Sequence, residues 1–302
     1  MSTPYHVAVI GLGAMGMGAA RSCLRAGLTT YGIDLNEEAR NQLQQAGATA
    51  VMADARPLAE TLDAVLLLVV NATQVRRILL GEAGLARHLK PGTAIMVSST
   101  IAAEEASALA AELALMGLPM LDAPVSGGAI KADAGEMTVM AAGSDAAFDK
   151  LAPVLDAVAG KVYRVGSEPG QGSTVKIIHQ LLAGVHIAVA AEAMALASRA
   201  GVSLDLMYDV VTHAAGNSWM FENRMPRVLA GDYQARSAVD IFVKDLTLVA
   251  DTAKALRFPL PLASTALNMF LGASNAGHGQ EDDSAVIKIF SGIQLPGQEE
   301  LL

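Results

Sequence analysis

Cysteine is nearly absent: Cys23 stands alone in 302 residues. A single thiol excludes an intramolecular disulfide and a cysteine-rich zinc site, and it fits a reducing, cytoplasmic setting. Charge is sparse as well, at 17% of residues, and the net value is −9 with no run of clustered Lys and Arg. That excludes a non-specific grip on nucleic acid, which needs clustered cations to neutralise phosphates. The opening residues Met1-Ser2-Thr3-Pro4-Tyr5-His6 lack a basic region followed by an apolar stretch, so no signal peptide is expected. Aromatics amount to only 4%, and the hydrophobic fraction of 52% comes largely from Ala, Gly, Leu and Val. Small residues at this density favour closely packed helices, and the total is too apolar for a disordered chain.

At this length the chain has room for about two domains of ~100–200 residues each. Its first half alternates strand and helix signals. Val7–Ile10, Thr30–Ile33, the continuous run Ala64–Val70 and Thr93–Val97 read as strands. Uninterrupted apolar runs suit parallel strands covered on both faces. Met120–Asp122, Met137–Ala141 and Val162–Val165 read as further short strands. After Gly166 the strand signal stops, and helices are expected near 172–200, 204–214, 218–229, 238–256 and 260–276. Residues beyond Phe290 read as a loose tail.

The expected fold class is therefore α/β: an N-terminal Rossmann domain with a doubly wound, mostly parallel sheet, followed by an all-helical C-terminal domain. The boundary falls at 167/168, giving a nucleotide-binding domain over 1–167 and a helical domain over 168–302. The stretch Ile177–Ala197 is apolar enough to ask about a membrane, but it carries His179, Gln180, His186 and Glu192. Those side chains are costly in hydrocarbon, so a helix buried between domains or subunits is expected, with no membrane partner.

Gly11-Leu12-Gly13-Ala14-Met15-Gly16 follows a strand and opens a helix, in the pattern G-x-G-x-x-G. Glycines in this pattern give a tight turn, room for a pyrophosphate and close helix–strand packing, while the helix N-terminus attracts phosphate. Asp34 lies 21 residues beyond Gly13, at the end of the second strand, where a carboxylate can bind ribose hydroxyls. The same carboxylate repels a 2′-phosphate. No arginine follows at once, since Leu35 and Asn36 come next and Arg40 is a helical turn away, so NAD is expected over NADP. Nothing else in the chain points to a flavin. Leu35 and Asn71, the latter just after the 64–70 run, are assigned to the cofactor site with the fingerprint.

Three further places carry chemistry. Lys176, His179 and Gln180 share one helical face in apolar surroundings. A desolvated lysine exchanges a proton near neutrality, yet the same spacing suits a lysine snorkelling at a helix end beside a core histidine. Asp122-Ala123-Pro124-Val125-Ser126-Gly127-Gly128 runs from a strand into a glycine turn, whose N–H groups and Ser126 hydroxyl can hold a carboxylate or merely end the strand. Ser98-Ser99-Thr100 ends another strand on the cofactor side. Lys244-Asp245 lies in a helical pattern as a surface pair or as a lysine reaching the active site. His88, His213 and His278 show no ligand spacing, and no metal is expected.

Taken in order, Gly11–Gly16, Asp122–Gly128, Gly170-Gln171-Gly172-Ser173-Thr174-Val175-Lys176 and Lys244-Asp245-Leu246 resemble the β-hydroxyacid dehydrogenase family, from Val7 to about Phe290. The resemblance implies an NAD-dependent dehydrogenase acting on a CH–OH group, with Lys176 as catalytic lysine. It implies that Ser126, Gly127 and Gly128 bind the substrate carboxylate, and that Thr100 and Lys244 lie beside the nicotinamide. It also implies a dimer or tetramer formed through the helical domain. Many members carry Asn-Asn where His179-Gln180 stand, and an acidic residue where Ser98 stands. Together with the stretch Ala214–Phe221, these departures resemble the branch acting on the sugar acid L-threonate, with His179 and Asn217 as substrate contacts. The alternatives within the family are 3-hydroxyisobutyrate and D-glycerate or tartronate semialdehyde as substrates. A distant alternative is a non-catalytic, nucleotide-binding chromatin reader, a branch that lacks the lysine.

Overall fold

The continuous apolar runs of the first half form the middle of a nine-stranded sheet in the computed structural model, which describes residues 4–296. Strands β1 (His6–Ile10), β2 (Thr29–Ile33), β3 (Ala50–Met52), β4 (Ala64–Leu67), β5 (Ala94–Val97) and β6 (Met120–Asp122) run parallel. β7 (Val125–Ser126) and β6 pair antiparallel with β8 (Met137–Ala142), and β9 (Ala159–Gly166) runs parallel to β8. The order is β3-β2-β1-β4-β5-β6-β8-β7, with β9 also on β8. The chain thus works outward from β1 to β3 and restarts on the other side at β4. That reversal opens a crevice beyond the carboxyl ends of β1 and β4, where α/β sheets bind ligands.

Side chains alternate across these strands and build two cores. Val7, Val9, Leu66, Met96 and Leu121 face one layer, packed with residues of α1 (Ala14–Arg25) and α6 (Asp145–Val158). Ala8, Ile10, Val65, Leu67, Ile95 and Val97 face the other, with residues of α3 (Ala72–Leu80) and α4 (Ala103–Ala114). Helices α2 (Glu37–Gln45) and α5 (Gly128–Ala134) complete the set.

Two strands escaped the sequence reading because three or two residues show no period: β3 and β7. The expected strand Ala64–Val70 stops at Leu67, where its ladder partner β1 ends at Ile10. Beyond it the chain turns at Gly11, whose missing Cβ would sit 2.7 Å from the Leu68 carbonyl oxygen. Residues 68–70 therefore pass beneath the glycine turn instead of extending the ladder.

The chain divides into two compact units, Met1–Lys176 and Ile177–Leu302. The first turn of α7 (Gln171–Arg199) stays with the sheet, because Asp122 at the end of β6 binds the backbone of Gly170 and Ser173. The second unit holds the rest of α7 with α8 (Leu204–Thr212), α9 (Trp219–Leu229), α10 (Val239–Ala255) and α11 (Pro261–Ala273). Its described residues contain no strand, only a bridge between Ala238 and Asp282. Its core gathers Ile187, Ala191 and Met194 of α7 with Phe242 and Leu246 of α10 and Phe270 of α11. By length and composition α7 would pass for a membrane span, yet about half of its most apolar stretch is buried within the protein. Two buried ion pairs, Arg224–Asp283 and Arg227–Asp282, tie α9 to the segment after α11.

The expected loose tail is docked as far as it is described. Ser198 Oγ donates to the Gln294 carbonyl, Arg199 Nη1 donates to the Gly292 carbonyl, and Leu295 is buried. The end of the α7 helix gives these residues polar partners that an isolated tail sequence does not reveal. Residues 297–302 of that expectation lie outside the described residues.

Candidate active site

Each glycine of the fingerprint answers to a different neighbour. Gly11 has φ +91°, and a Cβ there would meet the backbone of Leu68. A Cβ on Gly16 would lie 1.7 Å from the Gly11 carbonyl oxygen, so helix α1 can leave the turn only with glycine at that place. Gly13 is different: a Cβ there would meet nothing within 4 Å. It is the N-cap of α1, and as glycine it offers no side chain to the first N–H groups of the helix. Orphan donors and open space at a helix start are what a phosphate group occupies. A cavity of about 300 Å³ beside the turn is lined by Leu12, Gly13, Ala14 and Met17 together with Arg21 and Asp133.

Asp34 follows directly on β2. Its Oδ2 accepts from the Leu12 N–H at 2.6 Å and its Oδ1 from the Asn36 N–H at 2.8 Å. The first bond ties the carboxylate to the glycine turn. Leu35, the next residue, is an apolar side chain left 83% exposed. Arg40 Nη1 donates to the carbonyls of Asp34 and Leu35, at 2.7 and 3.0 Å. Its cation is therefore engaged by the loop carbonyls, while the carboxylate of Asp34 is held by two amides.

The ends of β4, β5 and β6 lie along the same carboxyl edge. Asn71 caps α3, its side chain accepting from the Gln74 N–H at 2.9 Å. After β5, Ser98 donates to the Ala123 carbonyl at 2.9 Å, and the Ser99 hydroxyl is buried with no partner among the described residues. Thr100 is half-buried beside them. Ser126 ends β7, and Gly127 and Gly128 follow with φ of +131° and +73°. A Cβ on Gly127 would strike Lys131, whereas one on Gly128 would meet nothing. Both positions have the positive φ that favours glycine, and the backbone N–H groups of such a turn are candidate donors to an anion.

Asp122 explains the G-x-G-x-x-x-K spacing. It is fully buried; its Oδ2 accepts from the N–H groups of Gly170 (2.7 Å) and Ser173 (2.8 Å), and its Oδ1 from the Ser173 hydroxyl (2.7 Å). The carboxylate thus caps α7 from the strand side. Burial pushes this carboxyl above the ordinary aspartate range, opposed by the donors from Ser173 and Gly170. Gly170 has φ +103°, and a Cβ on Gly172 would lie 2.4 Å from the Asp122 carbonyl oxygen and 2.7 Å from that of Met140. The helix can seat this close to β6 and β8 only through Gly172, while a Cβ on Gly170 would meet Ser107 and Ala103 of α4. Lys176 stands one turn beyond Gly172 and is buried.

The helical unit brings together side chains far apart in sequence. His179 Nδ1 lies 2.9 Å from Gln180 Oε1, Gln180 Nε2 donates to Asp245 Oδ2 at 2.5 Å, and Lys244 Nζ donates to Asp245 Oδ1 at 2.5 Å. Lys244-Asp245 is not a surface pair, since Asp245 is buried and the Lys244 side chain mostly covered. Asn217 follows α8, and its Oδ1 is buried with no partner among the described residues. The sequence named Gln180 beside Lys176 and His179, and Asp245 beside Lys244, but assigned neither a role in the site. Nothing but the K-D-L element hinted at the second, and no periodicity connects positions on separate helices. Among the described residues no group of three or more His, Cys, Asp or Glu could hold a metal ion.

Residues 6–166 match a family described as the NAD binding domain of 6-phosphogluconate dehydrogenase, and residues 170–290 match one described as NAD-binding of NADP-dependent 3-hydroxyisobutyrate dehydrogenase. An L-threonate dehydrogenase of Escherichia coli O6:H1 is 73% identical, covering 97% of each chain. One from Pectobacterium atrosepticum is 69% identical over 99% of this chain and 98% of its own. This chain belongs to the β-hydroxyacid dehydrogenase family. A crystal structure of 3-hydroxyisobutyrate dehydrogenase from Salmonella typhimurium is 70% identical, with a TM-score of 0.92 over 95% of this chain and all of the other.

Membership makes the chain an NAD-dependent dehydrogenase acting on a small molecule, and the distant reading as a non-catalytic reader is not favoured. The residues present fit the cofactor: a glycine turn with open space at Gly13, uncapped amides on α1, and a fixed carboxylate at Asp34.

Proposed function

We propose that the chain oxidises L-threonate to 2-dehydro-L-erythronate, at the hydroxyl beside the carboxylate. The observation that carries this reading is the 68–73% identity to four relatives named L-threonate dehydrogenase, over nearly the whole chain. The Salmonella protein bears the name of a different substrate, so the choice among family acids is the point to test.

In this reading the glycine turn Gly11–Gly16, with Leu12, Ala14 and Met15 between the glycines, holds the pyrophosphate. Asp34 and Leu35 meet the adenosine ribose, and Asn71, Thr100 and Lys244 complete the cofactor contacts. The Ser126 hydroxyl and the Gly127 and Gly128 amides hold the substrate carboxylate. Lys176 Nζ, in its neutral form, takes the proton of the reacting hydroxyl as the carbonyl forms. Bound NAD supplies the acceptor for the two electrons and hydrogen leaving the same carbon. His179 and Asn217 orient the remaining hydroxyls; a buried amide oxygen such as that of Asn217 is costly unless a donor reaches it.

Cytoplasmic residence and assembly as a dimer or tetramer belong to the same proposal. The lone buried thiol of Cys23 and the exposed Leu182, Val189 and Leu196 along α7 support them. Initial rates of NADH formation with a panel of sugar acids and short hydroxyacids, repeated with NADP, test the substrate. Strong NAD-dependent turnover of L-threonate is expected. Preferential turnover of 3-hydroxyisobutyrate or D-glycerate would overturn the substrate and leave the family intact.

A further inference from the structure

Gln180 and Asp245 take no part in the proposed proton transfer, yet both are buried, at 7% and 2% exposure. Polar side chains this deep are kept by their hydrogen bonds, and here the bonds run in one direction only. Asp245 pairs with the Lys244 ammonium at 2.5 Å, so it is a carboxylate and an acceptor on both oxygens. Its second partner is the Gln180 side chain, which must therefore turn its NH₂ toward Asp245. That choice leaves the amide oxygen on the other side, 2.9 Å from His179 Nδ1. An amide oxygen only accepts, so Nδ1 carries the hydrogen. In a neutral imidazole the other nitrogen, Nε2, then bears the lone pair.

We infer that Gln180 and Asp245 are positioning residues that hold neutral His179 as its Nδ1–H tautomer, making Nε2 an acceptor for a substrate hydroxyl. The inference builds on the proposed role of His179 as a substrate contact and adds its direction. An imidazole in water favours the opposite tautomer, so the selection comes from the Lys244–Asp245–Gln180 chain and not from the ring. A polyhydroxylated acid can donate to such a nitrogen, whereas an acid lacking that hydroxyl leaves a polar group unmatched, the kind of difference on which sites discriminate strongly.

The test is the ¹⁵N spectrum of the imidazole nitrogens of the full chain at a pH where the rings are neutral, with His179 assigned by the signals lost in His179→Asn. Nδ1 of His179 is expected to read as protonated and Nε2 as unprotonated. In Gln180→Met, which keeps the bulk and removes both polar ends, the ring is expected to revert to Nε2–H. The same variant is expected to lose about tenfold in kcat/KM for L-threonate, the weight of one directed hydrogen bond. A wild-type His179 found as Nε2–H overturns the inference, and so does a Gln180→Met ring that keeps its proton on Nδ1. The wild-type spectrum decides alone if the variant does not fold. Because the signals need no turnover, a chain that oxidises none of the acids would defeat the substrate reading without touching this measurement.

Discussion

Asp122 and Ser173, 51 positions apart, are joined twice: the Asp122 carboxylate accepts from both the backbone N–H and the hydroxyl of Ser173. This double bond of strand end to helix start fixes where α7 begins, and hence where Lys176 falls one turn later. The catalytic lysine of the proposal is thus placed by a carboxylate that itself never needs to touch substrate.

Gly172→Ala tests that placement. The added methyl would meet two backbone carbonyl oxygens at 2.4 and 2.7 Å, which no side-chain motion can relieve. Overpacking of this kind costs about 1–3 kcal/mol, and the displaced helix start is expected to carry Lys176 with it. Denaturant midpoints and kcat should fall together. Lys176→Ala is expected to separate them, losing on the order of 10²–10⁴ in kcat with little change in midpoint. A Lys176→Ala enzyme that kept most of its kcat would remove the base.

Within the fingerprint, Gly13→Ala and Gly16→Ala should diverge. Gly13 has φ −64° and open space around it, so alanine fits the fold and stability should stay within about 0.5 kcal/mol. Its methyl would enter the room assigned to the pyrophosphate, so KM for NAD is expected to rise about tenfold or more. Gly16→Ala should instead fail at folding. Equal effects on stability would contradict the division of roles.

Asp34→Asn addresses cofactor choice. The amide keeps an acceptor for the Leu12 N–H but drops the charge that opposes a 2′-phosphate. Like-charge contacts cost several kcal/mol, so the ratio of kcat/KM for NAD over NADP is expected to fall on the order of ten- to a hundredfold. An unchanged ratio would mean that another group sets the preference.

Acidity offers a separate handle on Asp122. Its folded-state pKa is raised by burial. A raised value contributes stability that is complete below the unfolded pKa, about 3.9 for aspartate, and is lost as pH climbs through the folded one. Compared with Asp122→Asn, which does not titrate, the wild-type chain should lose stability over that window. Unfolding midpoints of both proteins across a pH series give the difference, and a flat or rising difference would show that the carboxyl is not raised.

Local signals made much of this molecule readable. The glycine turn, Asp34 at a strand end, the parallel sheet and the helices of the second half each announce themselves within a short window of sequence. What stayed hidden depends on partners remote along the chain. Nothing near Gln180 reveals Asp245, and nothing near Ser198 reveals that Gln294 docks on it. The strand ending at Leu67 was over-extended because its stop is set by the turn of another segment at Gly11. β3 and β7 were missed because two or three residues are too few to show a period.

The three glycines of the turn also imply something about descent. Gly11 and Gly16 are demanded by the backbone around them, Gly13 by open space alone. A duplicated copy released from catalysis would still be held to the outer two by folding, while the middle one drifted. Loss of the central glycine with its neighbours retained would therefore mark a sibling that has kept the architecture and abandoned the dinucleotide.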